Sequence, residues 1–191
     1  MKRVNILIQR SMILAALIFF FGCTKDDAKM DYGFTKIYMP QSVIRSGGTN
    51  NQYPVPTGTD SSTWNYSIDK AKGKLNITMG ASLSGPGTDA YGVDIKVNND
   101  TIQKLFNAKL LDPVTNVIMP SSMFIIPANL EVAQGKRSGF FTLSIDYALF
   151  KSATYRNKFL LVSIGFSNPR TYELNAPLSS AIVVVDVSKI P

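Results

Sequence analysis

The stretch "KLNITMGASLS", residues 74–84, puts Leu75, Ile77, Met79, Ala81 and Leu83 at every second position, with Asn76, Thr78, Gly80 and Ser82 between them. Successive side chains of an extended chain point to opposite faces, so this spacing gives one apolar face and one wet face. The segment is therefore a half-buried strand. "YGVDIKVN", residues 91–98, repeats the device with Tyr91, Val93, Ile95 and Val97 inward. The intervening "SGPGTD" is dense in glycine and proline, as a connection requires.

The period changes in "DTIQKLFNAKLL", residues 100–111. There Ile102, Leu105, Phe106 and Leu110 share a helical face. Asp100 is placed as the N-cap and Gln103, three residues on, as its capping-box partner. Downstream the strand pattern returns over Met123–Ile126, Leu130–Val132, Gly139–Asp146, Lys158–Phe166 and Ala181–Val187. "GFFTLSID" points Phe141, Leu143 and Ile145 inward, whereas "AIVVVDV" is apolar until Asp186, as in a strand covered on both faces or central in its sheet. "YGVDIKVNNDTI" and "FFTLSIDYALF" both end a strand in Asp or Asn and open a helical turn.

Upstream, Lys36–Met39 is a short first strand stopped by Pro40. Residues 46–63 have no period and read as a long loop. Within it Tyr53–Val55 can pair as an edge, because Pro54 and Pro56 keep it out of a sheet centre. Taken together, residues 35–191 predict an all-β domain: an antiparallel two-layer sandwich of about seven to nine strands with one or two short helices inserted.

The 191-residue chain contains no histidine and one cysteine. Ser-His-Asp and Cys-His catalysis are thereby excluded, as is an internal disulfide. The domain must rest on its hydrophobic core. Three of the 20 basic residues (Lys2, Arg3 and Arg10) and none of the 13 acidic ones precede Cys23. The remaining excess of 17 over 13 is too small to point to nucleic acid.

Those three basic residues are followed by ten apolar ones, Met12–Phe21, then Gly22 and Cys23. This is the order of a secretory signal, residues 1–22. As a helix the apolar run rises only about 15 Å, roughly half a hydrocarbon core, so a resident transmembrane span is not expected. Cysteine after a small residue resembles a bacterial lipobox, in which the thiol of Cys23 receives a diacylglycerol. Two or more acyl chains anchor stably where one does not. Lys25-Asp26-Asp27 resembles the export tag that carries lipoproteins of Bacteroidota to the outer face of the outer membrane. Residues 23–34 are then a lipidated polar tether, and the membrane is the first expected partner.

Trp64 and Tyr66 in "STWNYS" stand two apart and share a face. With Tyr53 or Tyr91 they can form an aromatic platform for the C–H face of a sugar, or they can simply pack. Asp89, Asp94, Asn98, Asn99 and Asp100 offer oxygens near one turn, but without the spacing of a calcium loop, and no metal or cofactor is expected. Lys70, Lys72 and Lys74 can meet an anion or keep a strand edge soluble. Glycoside hydrolysis needs two carboxyl groups about 5–10 Å apart, and no acidic pair stands in a recognisable catalytic setting. The expectation is a protein that is not an enzyme.

Four segments in order, "KIYMPQS", "GKLNITMGASLSGPGTDAYGVDIKVNNDTI", "MPSSMFIIPANLEVAQGKRSGFFTLSID" and "YELNAPLSSA", resemble a domain of unknown function found at the N-terminus of Bacteroidota surface lipoproteins. That domain often precedes a family 18 glycoside hydrolase or a lectin-like sandwich and is associated with glycan-acquisition gene clusters. The resemblance covers residues 35–190. It implies an immunoglobulin-like β-sandwich on the cell surface and a glycan, or another glycan-uptake protein, as partner. It brings no catalytic residues. The alternatives are an adhesin or fimbrillin-like subunit that donates Ala181–Val187 in strand exchange, and a scaffold domain for a neighbouring lipoprotein.

Overall fold

The strand predicted over residues 74–84 lies inside one of two packed sheets. The computed structural model describes residues 33–43, 51–57, 60 and 64–191. The signal segment, Cys23, Lys25, Asp26, Asp27 and much of the 46–63 loop lie outside the described residues. Gly33–Pro191 forms one compact unit.

The first sheet is built on β4 (Lys74–Ser84) and β9 (Ser138–Asp146), which pair antiparallel without a break from Lys74↔Asp146 to Ser82↔Ser138. Around them lie β1 (Lys36–Tyr38), β3 (Tyr66–Asp69), β7 (Phe124–Ile125) and β11 (Glu173–Leu174) in the order β11-β1-β4-β9-β7, with β3 also on β4. The second sheet runs β2-β12-β10-β5-β8, with β6 also on β10. Its members are β2 (Gln52–Val55), β5 (Tyr91–Val97), β6 (Asn116–Ile118), β8 (Asn129–Val132), β10 (Phe159–Arg170) and β12 (Ser180–Asp186).

The alternation in the sequence explains the core. Leu75, Ile77, Met79, Phe141, Leu143 and Ile145 from the first sheet meet Val93, Ile95, Leu160, Val162, Ile164, Val183 and Val185 from the second in one buried cluster. Phe141 and Phe166 touch edge to face at 6.3 Å. Gly139 leaves an inward position of β9 empty, and β8 fills it: a Cβ there would stand 2.5 Å from the Val132 side chain.

The architecture is the predicted all-β sandwich, with two differences. There are twelve strands among the described residues, and three pairings are parallel: β1 with β11, β12 with β2 and β10 with β6. Each of these involves a segment of two to four residues. So short a run cannot display a period of two, and it arrives over a connection rather than a hairpin. The predicted edge at Tyr53–Val55 is β2, which among the described residues pairs only with β12.

Helix α1 (Asp100–Asn107) lies where the 3.6 period placed it, but its cap differs. The N-cap is Asn99, not Asp100, and it makes no side-chain capping bond because its Oδ1 accepts from the Ser163 amide at 3.0 Å. Leu110 lies past the helix end and is exposed, as is Val97 at the last residue of β5. Ile102 anchors α1 on the outer face of the second sheet, against Leu161 and Ile182. β12 is therefore apolar on both faces for a reason: Ala181, Val183 and Val185 face the main core, while Ile182 and Val184 face α1's cluster. Ser180–Asp186 is hydrogen-bonded on both edges, to β10 and to β2. It cannot be the donor proposed for strand exchange without unmaking the sheet.

Candidate functional site

The four candidate aromatics divide by the face their strands give them. Tyr53 pairs in register with Val183 and so shares its inward face, half-buried against the core. Tyr91 is 2% exposed, and its hydroxyl donates between Ala81 O at 3.2 Å and Arg137 O at 3.1 Å. Burial pushes its pKa up to about 12, against a partial pull downward from Arg137 and with a smaller push from Tyr38. Tyr91 is thus corrected to a core residue, whereas Tyr53 packs half-buried against the core. A ring as buried as that of Tyr91 has no route to a sugar.

Trp64 and Tyr66 do come together. Their rings stack 5.0 Å apart with 13° between planes. Tyr66 is 8% exposed and Trp64 36%, so the phenol is the support and the indole presents the free face. Between them, Asn65 ties the strand's entry to the second sheet: its Nδ2 donates to Pro54 O, and its Oδ1 accepts from the Thr57 amide, both at 2.9 Å. The Tyr66 hydroxyl oxygen is buried without a hydrogen-bond partner among the described residues. Burial raises its pKa, and the nearby Tyr147 phenol adds to the rise.

At the far end of β3 lies a cavity of about 410 Å³, lined by Ile68, Asp69, Lys70, Gly73, Tyr147 and Pro191. That volume lies within the roughly 300–1,000 Å³ of small-molecule sites. Tyr147 opens the one-turn helix α2 (Tyr147–Phe150), capped by Asp146, whose Oδ1 accepts from the Leu149 amide at 3.1 Å. Tyr147 N–H donates to Gly73 O at 2.9 Å, and its hydroxyl donates to Pro191 O. The strand-ending Asp of "SIDYALF" was the signal for this corner. Nothing in the sequence placed Tyr147 beside β3, because that contact joins distant parts of the chain.

The remaining polar candidates stay apart. Asp94 Oδ1 accepts from Arg170 Nη1 at 3.0 Å and its Oδ2 from Asn168 at 2.8 Å. The Asn168 bond first, and then Arg170, hold its pKa below the usual carboxylate range. Asp89 bonds Tyr172, and Asn98 accepts from the Asp100 amide. Among the described residues no group of three or more His, Cys, Asp or Glu side chains is placed to hold a metal ion. Lys72 pairs with Asp69 and Lys74 with Asp146, which leaves Lys70 at the cavity.

No family's sequence profile matches the chain, and no curated protein matches it. Solved structures do. One is a Bacteroides ovatus protein of unknown function, with a TM-score of 0.56 at 14% identity over 80% of this chain and 46% of that one. Another is a Bacteroides ovatus protein proposed to bind carbohydrate, with a TM-score of 0.52 at 10% identity over 79% and 36%. A third is a multidomain Bacteroides ovatus protein that includes the domain of unknown function 1735, at 0.51 and 13% over 80% and 45%. The chain spans less than half the length of each. At these identities the likeness is one of fold: a β-rich domain found in Bacteroides proteins.

Proposed function

We propose that this chain is a non-catalytic, lipid-anchored protein of the outer-membrane surface that binds or presents glycans for polysaccharide uptake. The observation that carries the reading is the Trp64–Tyr66 stack. An indole held flat by a buried phenol offers an apolar face with a polar edge, which is what a pyranose ring needs from a protein. The strand beneath it leads to a ligand-sized cavity with Asp69 and Lys70 at its wall. The fold likeness to a Bacteroides ovatus protein proposed to bind carbohydrate supports the same class. Attachment to the outer face is assigned to the lipid on Cys23 and to Lys25-Asp26-Asp27.

The test is affinity electrophoresis of the Gly33–Pro191 unit against a panel of bacterial, plant and host polysaccharides. Retardation by at least one, abolished in Trp64→Ala at an unchanged melting temperature, supports the reading. Free migration through all of them, or binding by Trp64→Ala equal to wild type, overturns it. For the anchor, labelled palmitate enters the full chain and not its Cys23→Ser variant.

A further inference from the structure

The middle of the outward β4–β9 ladder is built from uncharged residues. Its cross-strand pairs on β4 and β9 are Asn76↔Ser144, Thr78↔Thr142, Gly80↔Phe140 and Ser82↔Ser138. None of these eight residues is charged. Charge flanks the ladder at both ends, where Lys74 and Asp146 bond at 3.3 Å and where Lys36, in register with Ser84, pairs with Glu173 at 3.6 Å. On the second sheet the ion pairs of Asp94, Glu131 and Arg170 lie on β5, β8 and β10 themselves.

Within this face two of the polar pairs are tied by side-chain hydrogen bonds, Ser82 of one of them being itself buried. Ser82 and Ser138 share a 2.7 Å hydrogen bond, and Ser144 donates to Asn76 Oδ1 at 2.7 Å. One aromatic stands among them: Phe140, 67% exposed. Gly80 opposite has no side chain, and the ring lies against its backbone. A Cβ added there would stand 3.0 Å from Phe140 Cδ1 and 2.5 Å from Gly139 O. Glycine at this one position lets the ring rest on the sheet. The six steps of strand from position 76 to 82 make the face about 20 Å long.

From this arrangement we infer a second carbohydrate-contact surface, one that takes a neutral oligosaccharide laid across β4 and β9 with a sugar ring on Phe140. The inference rests on the carbohydrate reading above and adds a site and a ligand class to it. Fixed hydroxyls around one flat ring match the hydroxyl rim and C–H face of a pyranose. The exposed apolar side chains of the sheet, Phe140 and, beside Ser144, Ile125, are separated by the Thr142 rung and so do not make the continuous apolar centre a protein partner would need. An acidic glycan or a nucleic acid would need Lys or Arg, and neither stands among the eight residues.

Amide chemical-shift mapping on the Gly33–Pro191 unit tests this, with maltohexaose, mannohexaose and xylohexaose as neutral probes and an oligogalacturonate as the charged one. A neutral probe is expected to shift Gly80, Ser138, Phe140 and Thr142, with affinity about tenfold weaker in Phe140→Ala, the size of one stacking contact. Thr142→Lys, which leaves every core residue in place, is expected to weaken it as well. Shifts confined to Trp64–Tyr66, with both variants binding as wild type, overturn this surface and leave the proposed function standing. No shift with any neutral probe overturns the surface, and tighter binding of the oligogalacturonate at Phe140 overturns the ligand class. Absence of polysaccharide binding in the electrophoresis panel as well removes both readings.

Discussion

The side chain of Gln41 completes a sheet edge at Gly80. Its Oε1 accepts from the Gly80 amide at 3.2 Å while its Nε2 donates to Thr78 O at 3.4 Å. On that edge of β4, β3 pairs residues 74–77 and β1 pairs residues 82–84, so the amide fills the gap between two strands. The second sheet repeats the arrangement. β6 pairs residues 159–161 of β10 and β5 begins at Ile164, and in the interval Asn99 Oδ1 accepts from the Ser163 amide. A side-chain amide carries one donor and one acceptor in a plane, as a peptide does, and so can stand in for a missing rung.

Gln41→Leu, which keeps the volume and removes both polar atoms, is therefore expected to destabilise the domain by about 1–2 kcal/mol, two modest hydrogen bonds' worth. Asn99→Ala should cost about 1–3 kcal/mol, because the part-buried Ser163 amide is left unpaired. Urea unfolding with an unchanged m-value checks both. A loss of only a few tenths of a kcal/mol in either would mean that water replaces the side chain at that gap.

Tyr91 sets the alkaline limit. Its phenol is held neutral, with a pKa near 12, mainly by burial. A group whose folded pKa lies above its unfolded value contributes fully below the unfolded value and less as pH rises through the folded one. Wild-type stability should thus decline between about pH 10, the ordinary tyrosine value, and pH 12. Tyr91→Phe should flatten that decline and cost about 1–3 kcal/mol at neutral pH, since two carbonyls lose their donor. Equal alkaline slopes in the two proteins would remove Tyr91 from the account.

The sequence made the long strands legible because β4 and β9 alternate over nine or more residues. It did not reveal which aromatics stay at the surface. "STWNYS" and "YGVDIKVN" offer the same residue types, and only the pairing of Tyr66 with Ile77 and of Tyr91 with Val132 turns both phenols inward. Trp64 remains outside because it precedes the first rung of β3. Phe140 was legible in principle, since Phe141, Leu143 and Ile145 facing inward leave it facing out. The glycine opposite it depends on a register that no single strand records. Likewise the cap of α1 was misplaced by one residue because Asn99 is drawn away by Ser163, 64 residues later.

At acid pH the sign reverses. Asp146 is held below the usual carboxylate range, first by the Leu149 amide it caps and then, against some burial, by Lys74. Its stabilisation is present above the ordinary carboxylate value of about 4 and is lost as pH falls through the lower folded value. Asp146→Ala should therefore melt at a lower temperature than wild type at neutral pH, and the gap should close below about pH 4. A gap that persists unchanged at lower pH would show that the charge is not what Asp146 contributes.

Strand exchange through the last strand makes a prediction that the sheet order contradicts. β12 lies between β2 and β10, with seven register pairs to β10 alone, from Phe159↔Asp186 to Gly165↔Ser180. Removing Ser180–Asp186 would strip Ala181, Val183 and Val185 from the main core and Ile182 and Val184 from the cluster beneath α1. Each fully buried Val or Ile contributes about 1.5–3 kcal/mol, so the deletion removes as much as the whole stability of a domain, commonly about 5–15 kcal/mol. The truncated chain should give no cooperative melt, and a peptide spanning residues 180–186 should not restore one. Wild type should sediment as a monomer at every concentration tried. A truncated chain that still melts cooperatively, together with wild-type polymers that need residues 180–186, would revive the exchange reading and remove β12 from the centre of the sheet.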